Sequence, residues 1–282
     1  MLRVLGDTPC PVVPHAVDGV PVVEIGPYCF ADKPVTGGTL WPADSADTHE
    51  ITGNFVEEVT LPDAVRVIDS AAFYNCRRLR RVALGPTADS FGSDLFTNCR
   101  SLQTLELHAD PGEPTGLRRL LVAISADVTV AFTGGARLFY PEYFELLDEN
   151  TPAHIFNHSI EGEGYRMRQC FAPDGSLDFA AYDASFAQAC VGESEEKLCK
   201  LALGRLCLPY ALSDDARADY EFYLTAHPDA AFTLAITARE ETAVRLLVGL
   251  GLPTAHAAAY CAQQGWSTGA ALLLGRRHKA AK

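Results

Sequence analysis

No C-x-x-C pair occurs among the nine cysteines of this 282-residue chain, and their number is odd. A zinc ribbon and a thioredoxin-like redox site therefore have no support, and a secreted disulfide scaffold fits a chain of this length poorly. The cysteines read as buried, reduced thiols that pack as small apolar groups. No apolar run of about 18 residues exists either, so no membrane span is expected. The opening MLRVLGDTPCPVVPHAVDG lacks the apolar core of a secretory signal, because Gly6, Asp7, Pro9 and Pro11 interrupt it. The expected location is cytoplasmic if Met1 is the native start, and the cell surface if a signal has been removed. Basic side chains are scarce as well. There are 23 Lys and Arg against 36 Asp and Glu, a net charge of -13, and the acidity is spread over both halves. Nucleic-acid affinity depends on clustered Lys and Arg, so that function class is set aside.

What is present is an ordinary globular composition, 48% apolar and 21% charged, with enough length for two domains or an elongated repeat. A repeat is visible. VTLPDAVRVIDSAAFYNCRRL from Val59 aligns with VALGPTADSFGSDLFTNCRSL from Val82 at a step of 23 residues. The step carries Val59 to Val82, Leu61 to Leu84, Ile68 to Phe91, Phe73 to Phe96, Asn75 to Asn98, Cys76 to Cys99 and Leu79 to Leu102. Leu105 and Leu107 begin a third copy, and Ile25 with Phe30 an earlier one, displaced by 43 residues from Ile68 and Phe73. The polar stretch Pro34 to Gly53 reads as a loop in place of the missing turn.

A repeat of this length predicts a solenoid with one short strand and one return segment per coil. Alternation points Val59 and Leu61, Val82 and Leu84, Leu105 and Leu107 inward. The residues between them then form two outward columns, Glu58–Arg81–Thr104 and Thr60–Ala83–Glu106. Phe30, Phe73 and Phe96 are expected to stack inside. Cys76 and Cys99 recur in one register, where a disulfide would need an oxidising compartment.

The string LPDAVRVIDSAAFYNCRRLRRVAL resembles the BspA-type leucine-rich repeat family, through Leu61-Pro62, Val65, Ile68, Ala72-Phe73, Cys76 and Leu79. Asp69 stands where that pattern has glycine, and Leu95 where it has alanine. The resemblance covers roughly residues 10–108. It implies a leucine-rich-repeat solenoid and a role in surface adhesion or interaction.

Downstream, Leu117 to Ala123 fits a helix or a degenerate coil, Val128 to Phe132 a strand, and Arg137 to Tyr140 another. Residues 109–145 are expected to close the solenoid. Pro141 to Asn150 reads as a short amphipathic helix, and Pro173-Asp174-Gly175 as the turn of a small hairpin. From Ser194 the period becomes helical. Ser194 and Ser213 read as N-caps, Gly251 and Gly265 as C-caps, and the helices as stacked, loosely ankyrin-like hairpins. The expected class is α+β: a leucine-rich-repeat solenoid with short parallel strands over 1–145, a connecting segment with a β-hairpin over 146–190, and an α-helical hairpin-repeat domain over 191–282.

Chemistry-bearing motifs are sparse. His154 and His158, four apart with Glu161 and Glu163 nearby, could share a helix face and hold a metal. No Glu follows His154, so the zinc-protease pattern is absent, as are G-x-S-x-G, phosphate-loop and EF-hand patterns. The dense basic run is Arg77, Arg78, Arg80 and Arg81. The reading is a non-enzymatic interaction or scaffold module without cofactor. It would bind a protein through Glu58, Thr60, Arg78, Arg81, Ala83, Thr104 and Glu106, or through the helical grooves. A metal-dependent enzyme around His154 and His158, with Cys170 as a nucleophile, and an exported adhesin-like protein are the alternatives.

Overall fold

In the computed structural model, residues 1–35, 48–150 and 155–274 are described, with backbone alone at 148–150 and 155–157. The chain forms two compact units, Met1–Gly135 with Tyr140–Asp178, and Ala136–Phe139 with Phe179–Lys282.

The first unit is a β-solenoid. Strands Glu58–Thr60, Arg81–Leu84, Thr104–Leu107 and Val128–Phe132 stack in parallel. The step is 23 residues until the last, where Thr104 faces Thr129. Val59, Val82, Leu105 and Val130 point inward and are fully buried, as alternation on a half-buried sheet requires. A second parallel sheet joins Glu24–Ile25, Val67–Ile68 and Ser90–Phe91. Coils approach closely there: a Cβ on Gly92 would lie 2.1 Å from the Ser70 nitrogen.

A third contact line runs through the turns. The Ala71, Phe73 and Asn75 N–H groups donate to the Ser93, Leu95 and Thr97 carbonyls at 2.8, 3.2 and 2.9 Å. One coil earlier, Tyr28 and Phe30 donate to Ser70 and Ala72. Tyr28, Ala71 and Asp94, at matching coil positions, all have φ between 56° and 58°, and Asn75 and Asn98 have 63° and 64°. These left-handed residues turn alternate N–H groups toward the next coil. The rings of Phe30, Phe73 and Phe96 stack at 5.0 and 5.4 Å between centroids. The Cys76 thiol donates to Phe30 O and the Cys99 thiol to Phe73 O. Burial raises the Cys29 and Cys99 thiols to about 12 and Cys76 as well, so all three stay neutral. The cysteines are free.

Most of the loop expected at Pro34 to Gly53 lies outside the described residues; its flank His49–Glu50 pairs with Leu5–Gly6. Leu117–Val122 is a helix whose Leu117, Leu120 and Leu121 are buried. The helix expected at Pro141 to Asn150 is not formed. Phe144–Asn150 is a strand paired antiparallel with Ile155–Glu161 along all seven residues. Phe144, Leu146 and Leu147 fit either period, and the pairing decides. Around Pro173 to Gly175 the chain turns tightly, with one bridge between Phe171 and Leu177.

The second unit is helical. Ser194 and Ser213 cap Glu195–Cys207 and Asp214–Ala226 through their hydroxyls. Three later helices end alike. Arg239, Gly251 and Gly265 have positive φ, and the next residues' N–H groups close onto Ala235, Leu247 and Cys261 carbonyls, which is the Schellman ending. At the core, fully buried Arg205 forks onto Asp183 at 2.7 and 2.8 Å. The buried Tyr220 hydroxyl donates to the same carboxylate at 2.8 Å.

Candidate functional site

The outer face of the main sheet carries the residues singled out above. Register places Glu58 beside Arg81 and Arg81 beside Thr104 in one column, and Thr60 beside Ala83 and Ala83 beside Glu106 in the other. Arg81 sits at the centre. Its Nε and Nη2 donate to Glu106 Oε2 at 2.8 and 2.7 Å, and its Nη1 lies 3.5 Å from Glu58 Oε2. On the far side, His108 Nδ1 lies 2.8 Å from Asp63 and Nε2 3.7 Å from Glu106 Oε1. Arg78 and Arg80 both bond to the Glu57 carboxylate, Arg80 at 2.9 Å. Such half-exposed pairs contribute about 0–1 kcal/mol each, so what they fix is orientation rather than stability.

One member differs from expectation, and three further residues join the face. Ala83 takes its expected register but is buried, so it offers a partner no surface. Val12 was not legible as part of the face. It bridges to Thr60 in parallel and is 73% exposed, extending the second column by an apolar side chain. Nothing in Pro9 to Pro14 matches the repeat pattern closely enough to place it. Asp63 and His108 were missed too, because they stand at different coil positions and no repeat links them.

The His154/His158 alternative loses its helix. Ile155–Glu161 is a strand, and residues four apart on a strand stand about 13 Å from one another. His154 lies outside the described residues. His158 is exposed, 3.4 Å from Glu145. Cys170 is buried. Among the described residues no group of three or more His, Cys, Asp and Glu is placed to hold a metal.

Stacked parallel strands with inward aliphatic residues, an internal phenylalanine ladder and a recurring cysteine define a solenoid of leucine-rich-repeat type. Residues 52–112 match the family model described as BspA type leucine rich repeat region (6 copies), so this stretch is a BspA-type repeat region. No curated protein and no solved structure matches the chain.

Proposed function

We propose that the chain is a non-enzymatic protein-binding module that engages its partner through the outer face of the main sheet. The observation that carries this reading is the Glu58–Arg81–Glu106–His108–Asp63 network. Five charged or titratable side chains are held in a fixed pattern on a rigid parallel sheet, where no catalytic constellation uses them. Val12 supplies an apolar contact beside them. Alternating charge on a rigid face selects a partner of matching pattern and steers its approach. The leucine-rich-repeat type of the region supports the same reading. No described helix is long and apolar enough to cross a membrane.

The test is affinity capture from native lysate with wild type beside an Arg78→Glu/Arg81→Glu variant, read by mass spectrometry. A partner held by wild type and lost by the variant is the expected result. A partner held equally by both would move the binding surface off this sheet.

A further inference from the structure

The two ends of the turn ladder are finished differently. At its first coil the ladder presents carbonyls, and a guanidinium covers them. Arg3 Nη1 donates to the Tyr28, Cys29 and Ala31 carbonyls at 3.1, 3.1 and 2.8 Å, and Nη2 donates to Lys33 O. Its side chain is almost wholly buried.

At the last coil the ladder presents N–H groups. Asp94, Phe96 and Asn98 occupy the positions of Ala71, Phe73 and Asn75, whose N–H groups donate forward to the next coil. Those of Asp94, Phe96 and Asn98 have no hydrogen-bond partner among the described residues. The reason lies in the sequence. One step of 23 residues carries Asp94–Cys99 onto Leu117–Val122, and that segment is a helix. A helix directs its carbonyls along its own axis, so it offers none across to the preceding coil.

The main sheet runs on past the last coil, while the second sheet ends at Ser90–Phe91. Val128–Phe132 pairs with Thr104–Leu107, and Arg119 donates to Asp89 O beside the second sheet. The turn line opens into a groove of about 370 Å³ lined by Phe96, Asn98, Arg100, Leu102 and Ile124, among others. Three carbonyls of the facing wall are already engaged. The Ile124 and Ala126 carbonyls are taken by the buried Arg168 guanidinium, and Ser125 O by the Tyr143 N–H. Arg100 at the rim is exposed and forms no ion pair. Arg77 stands one coil back at the equivalent position. The one carboxylate in the turn, Asp94, is engaged by the Thr97 hydroxyl.

We infer that this groove binds an extended acidic peptide segment of a partner protein. A carboxylate side chain would accept from the unpartnered N–H row, as the Arg3 guanidinium donates to the carbonyl row at the other end. Alternate N–H groups turned to one side by left-handed residues form a concavity suited to an anion, and charged acceptors shorten and strengthen such bonds. Arg100 would hold the segment's charge, and Phe96, Leu102 and Ile124 its apolar side chains. The chain's net charge of -13 does not forbid this, because salt screens distant charges beyond about 8–10 Å. The site is separate from the sheet face and does not depend on it.

The test is an amide NMR titration of the full ¹⁵N-labelled chain with acetylated, amidated Val-Glu-Val-Glu-Val-Glu, beside its Gln counterpart. The expected result is a saturable shift of the Asp94, Phe96 and Asn98 amide signals. Affinity should fall about tenfold or more with the Gln peptide, and similarly with the Arg100→Gln variant, whose exposed position leaves folding intact. The Arg78→Glu/Arg81→Glu variant should bind the peptide as wild type does, which separates this site from the sheet face. Equal shifts with both peptides, or shifts elsewhere only, would overturn the inference.

Discussion

The two units of this chain satisfy their buried polar groups in opposite ways. The solenoid does so by repetition: each coil's donors meet the next coil's acceptors, and each phenylalanine lies on the last. The helical unit concentrates its buried charges in one place, the Arg205–Asp183–Tyr220 cluster, where Arg205 Nη1 stays buried without a partner among the described residues. Repetition spreads the consequences of losing one group over several coils, while a single cluster leaves them on one pair of charges. The same contrast explains where binding capacity sits. A ladder must end, and its ends leave unmet donors or acceptors, whereas a closed cluster leaves few.

The sharpest way to break the comparison is Asp183→Ala. It leaves a fully buried guanidinium beside the Phe179 ring with no carboxylate, and should cost about 3–5 kcal/mol. Amide hydrogen exchange should show the loss in the helices from Phe179 onward and not in the coils. Replacing the cluster together, Asp183→Leu with Arg205→Met and Tyr220→Phe, should recover most of it, because well-packed apolar residues often substitute for a buried ion pair. A loss shared equally by both units would mean that they do not fold as separate bodies.

Next in size is Phe73→Ala. Phe73 is stacked on both sides, by Phe30 and Phe96, and truncation should cost about 3–4 kcal/mol through lost burial and the cavity left. Phe96→Ala should cost less, because its outer side faces the groove rather than another ring. Chemical denaturation of the two variants compares them. Equal costs would show that the end of the ladder is as tightly packed as its middle.

Alkali probes both units together. Burial raises Cys99 to about 12, against 9.0 for a free thiol. A raised folded pKa gives stability that is complete below about 9 and is lost as pH climbs toward 12, because the unfolded chain releases the proton first. Cys199 in the helical unit is raised equally, to about 12. Between pH 8 and pH 10, wild type should therefore lose about 1 kcal/mol more stability than either Cys99→Ala or Cys199→Ala. Urea midpoints at the two pH values measure it. A difference in one variant and none in the other would show that the thiols are not equivalently enclosed.

Much of the solenoid is legible in the sequence because stacking imposes one requirement on every coil. Leu61, Leu84 and Leu107 are readable together where one alone would be ambiguous. The outward columns followed from alternation, and their register matched. Single, unrepeated devices were not legible. Arg3 and Arg168 cap carbonyls far along the chain, and no local pattern marks an arginine as buried. Asp183 and Arg205 meet across two helices that no repeat or fixed spacing links. The segment from Phe144 was misread because its apolar spacing suits both periods, and only its pairing with Ile155–Glu161 decides. The open donor row was invisible for a different reason: it follows from a helix standing where a turn is expected, and a sequence shows the replacement without showing the groups it leaves unmet.

The smallest effect lies in the helical unit, and it asks whether that unit follows a repeat rule of its own. Three helices end at Arg239, Gly251 and Gly265, each with positive φ. Glycine adopts that conformation freely, whereas a residue with a Cβ is strained there by about 1–2 kcal/mol. Arg239 offsets part of that cost with a 3.3 Å bond from Nη2 to Gln264 O, an exposed contact of small value. Arg239→Gly should therefore stabilise the protein by about 0.5–1 kcal/mol, despite the greater freedom glycine gives the unfolded chain. The reverse change at Gly251, to Ala, should destabilise by a similar amount. Thermal midpoints of the two variants would show it. A loss on Arg239→Gly would mean that the Gln264 contact, and not the Schellman geometry, holds this helix end.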